Sequence, residues 1–393
     1  MSDWRDLDAW KRLAASPELQ AAAAATSPRE AAGISRLRKR FDADLVSAAI
    51  ELAEARRKAA SKFAGAVGLW CDAAGVEQAS GERVAAWKAA RMARLLPGVD
   101  ILDLCCGIGG DAMAMAAAGL RVTAVDLDAR RAWMAGRNAR CAAQVADVES
   151  IDLAGAVIHA DPARREERGG TRSWSLDDHR PGRAWIERAM REPRAAAIKF
   201  SPGVDRRELA ALPAEWEYLE DHGRLVQAVA WCGAFADGVG RTRATVLGDA
   251  SATLIGRPDP DRADRLPVAP AIEPGRWISE PSPALERAQL LTEAAEGRAA
   301  EIERGLGLVV SSERLPSPWF EGFVVVEECG AREDSIRDAL ARHALVARSV
   351  RVRGRAADAD ALTKSLHARP DGGAVVFAFR RGERTRAVIA RRR

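Results

Sequence analysis

The sequence predicts an α/β protein built around a doubly wound parallel sheet, with a helical region before it and small α+β domains after it. Five short apolar segments between residues 97 and 250 alternate with segments of helical periodicity. A glycine-rich turn follows the first segment directly and leads into an Ala- and Met-rich helix. Alternating strands and helices are typical of parallel sheets with helical crossovers. The predicted strands are residues 99–105, 121–126, 142–146, 156–161 and 195–200.

The regions on either side of this sheet have patterns of their own. Before it, apolar side chains such as Trp10 and Leu13 recur at helical spacing, and Ser80 is placed to cap a last helix. After it, a segment with seven prolines marks a boundary, and one helix is expected over residues 284–304. The predicted domains are a helical N-terminal region (1–94), in which residues 70–80 are expected to form a lid, the sheet domain (95–255), a linker with a small α+β domain (256–328) and a basic domain (329–393).

Composition narrows the class of protein. The 393 residues contain no apolar run of 18 and begin with a polar segment, so we expect a cytoplasmic protein. The six cysteines lack the spacing of zinc ligands, and no metal is expected. The net charge is +4, but residues 331–393 hold sixteen Lys and Arg against seven Asp and Glu. Such a basic segment predicts RNA as a partner.

The turn after the first strand predicts a nucleotide site at the carboxyl edge of the sheet. Gly107, Gly109 and Gly110 let the backbone approach a ligand, and the helix that follows offers free N–H groups. Asp126 ends the next strand, 19 residues after Gly107, where a carboxylate can accept both hydroxyls of a ribose.

Two further carboxylates distinguish between the nucleotides that such a turn could bind. Residues 107–112 fit the pattern G-x-G-x-x-A, which is typical of NAD and FAD sites. Asp103 and Asp111 flank the turn, however, and their negative charge disfavours a pyrophosphate. The same charges favour S-adenosylmethionine (SAM), whose sulfonium and ammonium groups are cationic. The sequence therefore predicts SAM as the cofactor.

Strand ends further along the sheet predict where a methyl acceptor would lie. Asp161 and Pro162 follow the fourth strand, where the proline restrains the exit of the chain. A carboxylate or carbonyl there can hold an exocyclic amine and orient its lone pair. Lys199 ends the fifth strand, where it can contact substrate or pair with Asp161. We take these three residues as catalytic candidates; the candidates for substrate binding are Arg164, Arg165 and Ser201.

Four motifs together resemble a bacterial family of class I SAM-dependent methyltransferases: residues 103–111, 125–128, 159–165 and 199–203. That family carries a C-terminal THUMP-like domain, which residues 331–393 resemble, preceded by a small ferredoxin-like domain, which residues 270–327 resemble. The Rossmann-like sheet is similar to that of trimethylguanosine synthases, which methylate guanine N2. The resemblance implies contacts to the methionine part from Asp103, Gly107, Gly109 and Asp111, to the ribose from Asp126 and to the adenine from Asp147. With adjacent turn residues, the cofactor-binding candidates are Asp103, Cys105, Gly107, Gly109, Gly110, Asp111, Asp126, Leu127 and Asp147.

The resemblance leaves the acceptor open. Methyltransferases that act on amines usually carry a second proline and an aromatic residue after the first proline, where this chain has Ala163 and Arg164. We therefore expect a SAM-dependent methyltransferase acting on RNA, at a base amine or a similar nucleophile. The alternatives are a SAM-dependent methyltransferase with a protein or small-molecule acceptor, and a non-catalytic RNA-binding protein with a vestigial SAM site.

Overall fold

A computed structural model describes residues 4–27, 30–164, 179–204, 212–258 and 266–392. The chain divides into two units. The first consists of residues Met1–Glu217 and Gln227–Arg241, and the second of residues Tyr218–Val226 and Thr242–Arg393.

The N-terminal part of the first unit is helical, as predicted. Trp10, Leu13, Leu19 and Leu52 are buried together in its core, because their spacing places them on the inner faces of amphipathic helices. A 3₁₀ turn (Ala66–Gly68) and a short helix lead from this bundle towards the sheet. The helices are α1 (Trp4–Ala14), α2 (Pro17–Ala25), α3 (Ala31–Arg38), α4 (Ala43–Ala59), α5 (Ala73–Gln78) and α6 (Glu82–Leu95).

The sheet of the first unit confirms the predicted α/β architecture. The elements from residue 100 to residue 233, of which β8 and β9 include residues of the second unit, are β1 (Asp100–Leu104), α7 (Gly110–Ala117), β2 (Arg121–Asp126), α8 (Ala129–Ala139), β3 (Ala142–Val145), β4 (Val157–Ala160), β5 (Ala163–Arg164), β6 (His179–Arg180), α9 (Arg183–Arg191), β7 (Ala195–Phe200), β8 (Glu215–Asp221) and β9 (Arg224–Gly233).

The order of these strands places the predicted site residues at one edge. The order is β9-β7-β4-β1-β2-β3, and β7, β4, β1, β2 and β3 are parallel while β9 runs antiparallel to β7. Chain order reverses at β1, whose neighbours are β2 and β4, so β1 is the topological switch point at which ligands bind in such sheets. The two-residue strands β5 and β6 form a separate antiparallel pair.

The second unit contains a hairpin and a larger sheet. Its elements after residue 241 are β10 (Thr242–Leu247), β11 (Ala252–Gly256), β12 (Trp277–Pro281), α10 (Pro283–Ala288), α11 (Leu291–Ala295), β13 (Ala299–Glu301), β14 (Val309–Ser311), β15 (Phe320–Gly330), α12 (Glu333–Arg342), β16 (Ala347–Val352), α13 (Ala359–Ser365), β17 (Ala374–Arg381) and β18 (Arg384–Arg391).

The larger sheet has seven strands in the order β13-β14-β12-β15-β18-β17-β16. Strand β15 runs across the boundary placed at residue 328, so both predicted C-terminal domains contribute strands to one sheet. The prediction of one helix over residues 284–304 is wrong, because α10 and α11 end at Gln289 and Glu296 in the left-handed conformation and the chain continues into β13.

Candidate active site

The glycine turn joins the end of β1 to the start of α7 in a conformation that needs glycine. Gly107 has φ 55° and Gly109 has φ 81°, both in the left-handed region. A Cβ atom on Gly109 would lie 2.8 Å from Cα of Ala135, which is part of α8. The backbone of the turn therefore packs directly against α8, and a side chain at Gly109 would prevent this contact.

Asp126 lies at the end of β2, where it holds the turn with both of its oxygens. Oδ2 accepts from the backbone N–H of Gly107 and Oδ1 accepts from that of Asp128, each at 2.9 Å. Burial raises the pKa of Asp126, and the two backbone N–H groups offset part of that rise. Each carboxylate oxygen can accept more than one hydrogen bond, so the group can also receive ribose hydroxyls.

Two exposed apolar side chains lie next to Asp126, one in sequence and one across the sheet. Leu127 is 66% exposed and Val145 is 57% exposed, and the register pairs Asp126 with Val145. Asp147 is exposed just beyond β3, where it accepts from the N–H of Glu149 at 2.9 Å. The predicted contact of Asp147 to an adenine stays a prediction.

The carboxylates of Asp103 and Asp111 are buried in a polar network beneath the turn. Asp103 Oδ1 lies 2.7 Å from Nδ1 of His159, and Asp111 Oδ1 lies 2.7 Å from Nζ of the fully buried Lys88. The Ser80 hydroxyl donates to Asp111 Oδ2 at 2.8 Å. Lys88 and Ser80 thus engage Asp111, whereas Oδ2 of Asp103 is buried without a hydrogen-bond partner among the described residues, and contacts of the two carboxylates to the methionine part of SAM stay a prediction.

The pKa values of this network follow from burial and from Lys88. Burial raises the pKa of Asp103, and the hydrogen bond to His159 offsets only part of the rise. Burial also disfavours the charged form of Asp111, but the effects of Lys88, His159 and Lys199 together outweigh it and lower the pKa of Asp111 below its usual value.

Sequence reasoning did not identify Lys88, Gln227 or the pairing of His159. Gln227 Nε2 donates to the Ser80 hydroxyl at 2.7 Å, and it comes from β9, far along the chain. The sequence does contain a sign of the role of Lys88, because this residue interrupts the apolar stripe of α6. The stripe is formed by Val84, Ala85, Ala89 and Met92. A lysine on a buried helix face requires a buried acid as its partner.

Asp161 and Lys199 meet at the end of β4. The N–H of Asp161 donates to the carbonyl of Leu104 at 3.1 Å, so the residue lies beside the end of β1. Its Oδ2 lies 2.6 Å from Lys199 Nζ, with side-chain exposures of 28% and 14%. Burial alone would lower the pKa of Lys199, but the neighbouring carboxylates of Asp161 and Asp111 outweigh it and raise the pKa.

The other acceptor-side candidates are only partly described. Pro162 is buried, and the Ser201 hydroxyl accepts from the N–H of Gly203 at 3.4 Å. The Arg164 backbone pairs with His179 in the β5–β6 ladder. The side chain of Arg164 and the whole of Arg165 lie outside the described residues.

The segment before α6 contacts both the cofactor side and the acceptor side. The backbone carbonyl of Gln78 accepts from Lys199 Nζ at 3.2 Å, and its side-chain Oε1 accepts from Arg131 at 3.1 Å. Lys62 donates to the carbonyls of Val76 and Glu77 at 2.7 and 2.9 Å, which fixes the end of α5. This is the segment predicted to act as a lid.

Two kinds of feature were not found in the parts of the chain that the structure describes. No helix there is long and apolar enough to cross a membrane. The same residues contain no group of three or more His, Cys, Asp or Glu side chains placed to hold a metal ion.

A parallel sheet with a glycine turn after β1 and a carboxylate at the end of β2 is the arrangement of a class I SAM-dependent methyltransferase. The chain belongs to this family. It is 31% identical over 334 residues to a protein of Mycobacterium tuberculosis strain H37Rv described as an uncharacterized S-adenosylmethionine-dependent methyltransferase, covering 81% of this chain and 88% of that protein. The counterpart in strain CDC 1551 matches equally.

A family model and a solved structure extend the comparison. Residues 99–154 match the family model described as RNA cap guanine-N2 methyltransferase. The fold is similar to the crystal structure of a putative methyltransferase from Porphyromonas gingivalis W83, with a TM-score of 0.78, 16% identity, and coverage of 96% of this chain and 98% of that one. The protein is therefore an enzyme that uses SAM, which removes support from the non-catalytic alternative.

The residues of the turn fit SAM by an observation independent of these relatives. Gly107, whose N–H donates to Asp126 Oδ2, leaves room beside this carboxylate, because a Cβ atom on Gly107 would have only Arg131 Nη1 within 4 Å, at 3.8 Å. When bound, SAM supplies a methyl group on a sulfonium, whose sulfur leaves with the electron pair of the broken bond. Alignment of the acceptor carries much of the rate of such a reaction.

Proposed function

We propose that this methyltransferase acts on RNA and that its acceptor is an exocyclic amine of a base. The observation that carries the proposal is the Asp161 carboxylate, which is partly exposed beside the end of β1. A carboxylate at that position can accept an N–H of the amine. The family model matched by residues 99–154 describes methylation of guanine N2 in RNA caps and supports the same acceptor class.

Asp161 is proposed to orient the amine. The lone pair of an exocyclic amine is delocalised into its ring, and an accepted N–H bond turns the nitrogen so that the lone pair points at the methyl carbon. The nitrogen loses one proton as the new bond forms, and the carboxylate oxygen of Asp161 that Lys199 leaves open can accept it. Pro162 fixes the backbone that presents this carboxylate.

Lys199 is proposed to position Asp161 and not to act as a base. The carboxylates around it raise its pKa, so it stays protonated at neutral pH and cannot take up a proton. Its ion pair with Asp161 at 2.6 Å occupies one carboxylate oxygen and leaves the other for the acceptor. Its bond to the Gln78 carbonyl joins this pair to the predicted lid.

A protein or small-molecule acceptor is the second candidate, and Ala163 favours it. This residue is exposed, and its small side chain offers no aromatic face on which a base could stack. An acceptor without a ring would not need one. The two candidates differ in where a transferred methyl group is found.

The test is methyl transfer by the full-length enzyme from radiolabelled SAM. RNA, protein and small-molecule fractions from cells that lack this enzyme are offered separately, and labelled RNA is digested to nucleosides. We expect label in a base-methylated nucleoside. Label confined to protein or small molecules would overturn the RNA proposal and support the second candidate.

The Asp161→Asn variant tests the role of the carboxylate in the same assay. We expect kcat to fall by about 100-fold or more, which is the usual effect of removing one positioned polar group, while SAM affinity measured by calorimetry stays unchanged. The matched control is Asp152→Asn, which changes an exposed carboxylate of the same unit that bonds only to a loop N–H. A variant at Asp161 as active as this control would contradict the assignment.

A further inference from the structure

We propose that Arg131 binds the carboxylate of the methionine part of SAM, an inference that rests on the placement of SAM at the glycine turn. The methionine carboxylate is the anionic group of an otherwise cationic ligand. The turn predicted to hold it is flanked by acids, so a cation close to the turn would favour binding of this one group. Arg131 is the cation whose position and surroundings fit.

The position of Arg131 follows from the start of α8. Asp128 caps this helix by accepting from the N–H groups of Arg130 and Arg131. The guanidinium of Arg131 then turns towards the glycine turn, where a Cβ atom on Gly107 would lie 3.8 Å from its Nη1. Its side chain is 19% exposed, so it is accessible from the ligand side and still held in place.

The partners of Arg131 leave it able to bind an anion. Nη1 donates to Gln78 Oε1 at 3.1 Å, and Nη2 lies 3.6 Å from Asp72 Oδ1. These two contacts engage a minority of the five N–H donors of a guanidinium. Arg130 approaches Asp72 more closely, at 3.0 Å, and so takes the larger share of that negative charge.

Among the residues that the structure describes, three lysines of this unit have partners of their own. Lys88 is fully buried against Asp111. Lys199 is paired with Asp161 at 2.6 Å. Lys62 donates to backbone carbonyls at the end of α5. A planar guanidinium also matches a carboxylate in geometry, since it can form two parallel hydrogen bonds.

Binding at Arg131 would connect the two sides of the site. Gln78 accepts from Arg131 through its side chain and from Lys199 through its backbone carbonyl. A carboxylate bound by Arg131 would therefore be separated by two residues, Arg131 and Gln78, from Lys199, which holds Asp161. Loss of this contact would affect the acceptor side as well as the affinity for SAM.

The experiment compares two ligands on Arg131→Met by calorimetry with the full-length protein. S-adenosylmethionine carries the carboxylate, and 5′-methylthioadenosine shares the nucleoside and sulfur but lacks the amino-acid part. We expect the affinity for SAM to fall by about 10- to 100-fold, which corresponds to the loss of one charge-assisted hydrogen-bonded pair. The affinity for 5′-methylthioadenosine should stay within about twofold.

The control is Arg137→Met, which removes an exposed arginine of the same helix that lies over the rings of Trp70 and Trp133 and should change the ratio of the two affinities by less than about twofold. Arg131→Gln, which keeps a donor for Gln78, replaces the methionine variant if thermal unfolding shows that the latter does not fold. Equal losses for both ligands, or no loss for SAM, would overturn the role of Arg131. Failure of the unaltered protein to bind 5′-methylthioadenosine would instead overturn the placement of the nucleoside at the turn.

Discussion

Gly109 lies at the start of α7, where its backbone passes against α8. Its φ of 81° disfavours any side chain, at about 1–2 kcal/mol, and a Cβ would press on the Cα of Ala135 at 2.8 Å. The contacted atom is backbone, so neither helix can give way by changing a rotamer. Overpacking of this kind destabilises the fold by a further ~1–3 kcal/mol.

We therefore expect Gly109→Ala to lower the free energy of unfolding by about 2–5 kcal/mol and to weaken SAM binding, because the turn must shift. Urea unfolding and calorimetry measure the two effects. Gly155→Ala is the control, since Gly155 has φ 69° but no atom within 4 Å of its Cβ position. If both variants lose the same stability and neither loses SAM affinity, the close approach to Ala135 has no role in the site.

At the scale of single residues, the sequence predicts what is local. The glycines and Asp126 are recognisable because a strand, a turn and a helix that follow one another determine their positions. Gln227 is not recognisable, because only the pairing of β9 with β7 brings it to Ser80. Arg131 follows Asp126 closely in sequence, but the direction of its side chain depends on Gln78 and Asp72.

Helices α6 and α7 are joined by the buried ion pair between Lys88 and Asp111. Lys88→Met would leave the Asp111 carboxylate buried without its cation, and removing one partner of such a pair costs about 3–5 kcal/mol. Adding Asp111→Asn removes the orphaned charge and keeps an oxygen that the Ser80 hydroxyl can reach. We expect the double variant to recover most of the lost free energy of unfolding.

Acid pH provides the second readout for this pair. The pKa of Asp111 is lowered in the folded protein, so its contribution to stability is complete above the unfolded value of about 3.9 and is lost as the pH falls below it. Between pH 7 and pH 3, the free energy of unfolding should therefore fall less in the double variant than in the unaltered protein. A single variant at Lys88 within about 1 kcal/mol of the unaltered protein would show that the pair contributes little.

At the scale of elements, apolar periodicity predicts helices correctly where one face of the helix is clearly buried. It fails where the chain reverses direction within the segment. The helices before the sheet follow from apolar spacing such as that of Trp10 and Leu13. The helix expected over residues 284–304 has similar spacing, but the left-handed residues Gln289 and Glu296 divide it. Neither residue type signals such a conformation as glycine does.

On the scale of the whole molecule, the basic C-terminal segment is less positive than its composition suggests. Arginines of this segment form ion pairs with glutamates, and several of those glutamates precede residue 331. We call three of these arginines the paired arginine set: Arg337, which pairs with Glu333, Arg342, which pairs with Glu327, and Arg386, which pairs with Glu328. Their charge is compensated within the protein and is poorly placed to attract phosphate.

Other arginines of the segment are exposed without acidic partners among the described residues. Arg355, Arg380 and Arg384 define an unpaired arginine set. Gly354 lies close to Arg380, since a Cβ atom on Gly354 would be 3.5 Å from Cβ of Arg380. Arg355 is the next residue in the chain after Gly354. Arg384 begins β18, opposite the residue after Arg380 in the β17–β18 hairpin.

If RNA binds this segment, the unpaired arginine set should carry the contacts to phosphate. Replacing all three of its members by glutamine should weaken RNA binding and reduce the slope of log affinity against log salt by up to about three, one per phosphate contact. Filter binding with the full-length protein at about 50–200 mM salt measures the slope. The same replacement in the paired arginine set changes the net charge equally, so it should leave the slope nearly unchanged. Equal losses in both variants would mean that overall charge, and not this surface, attracts RNA.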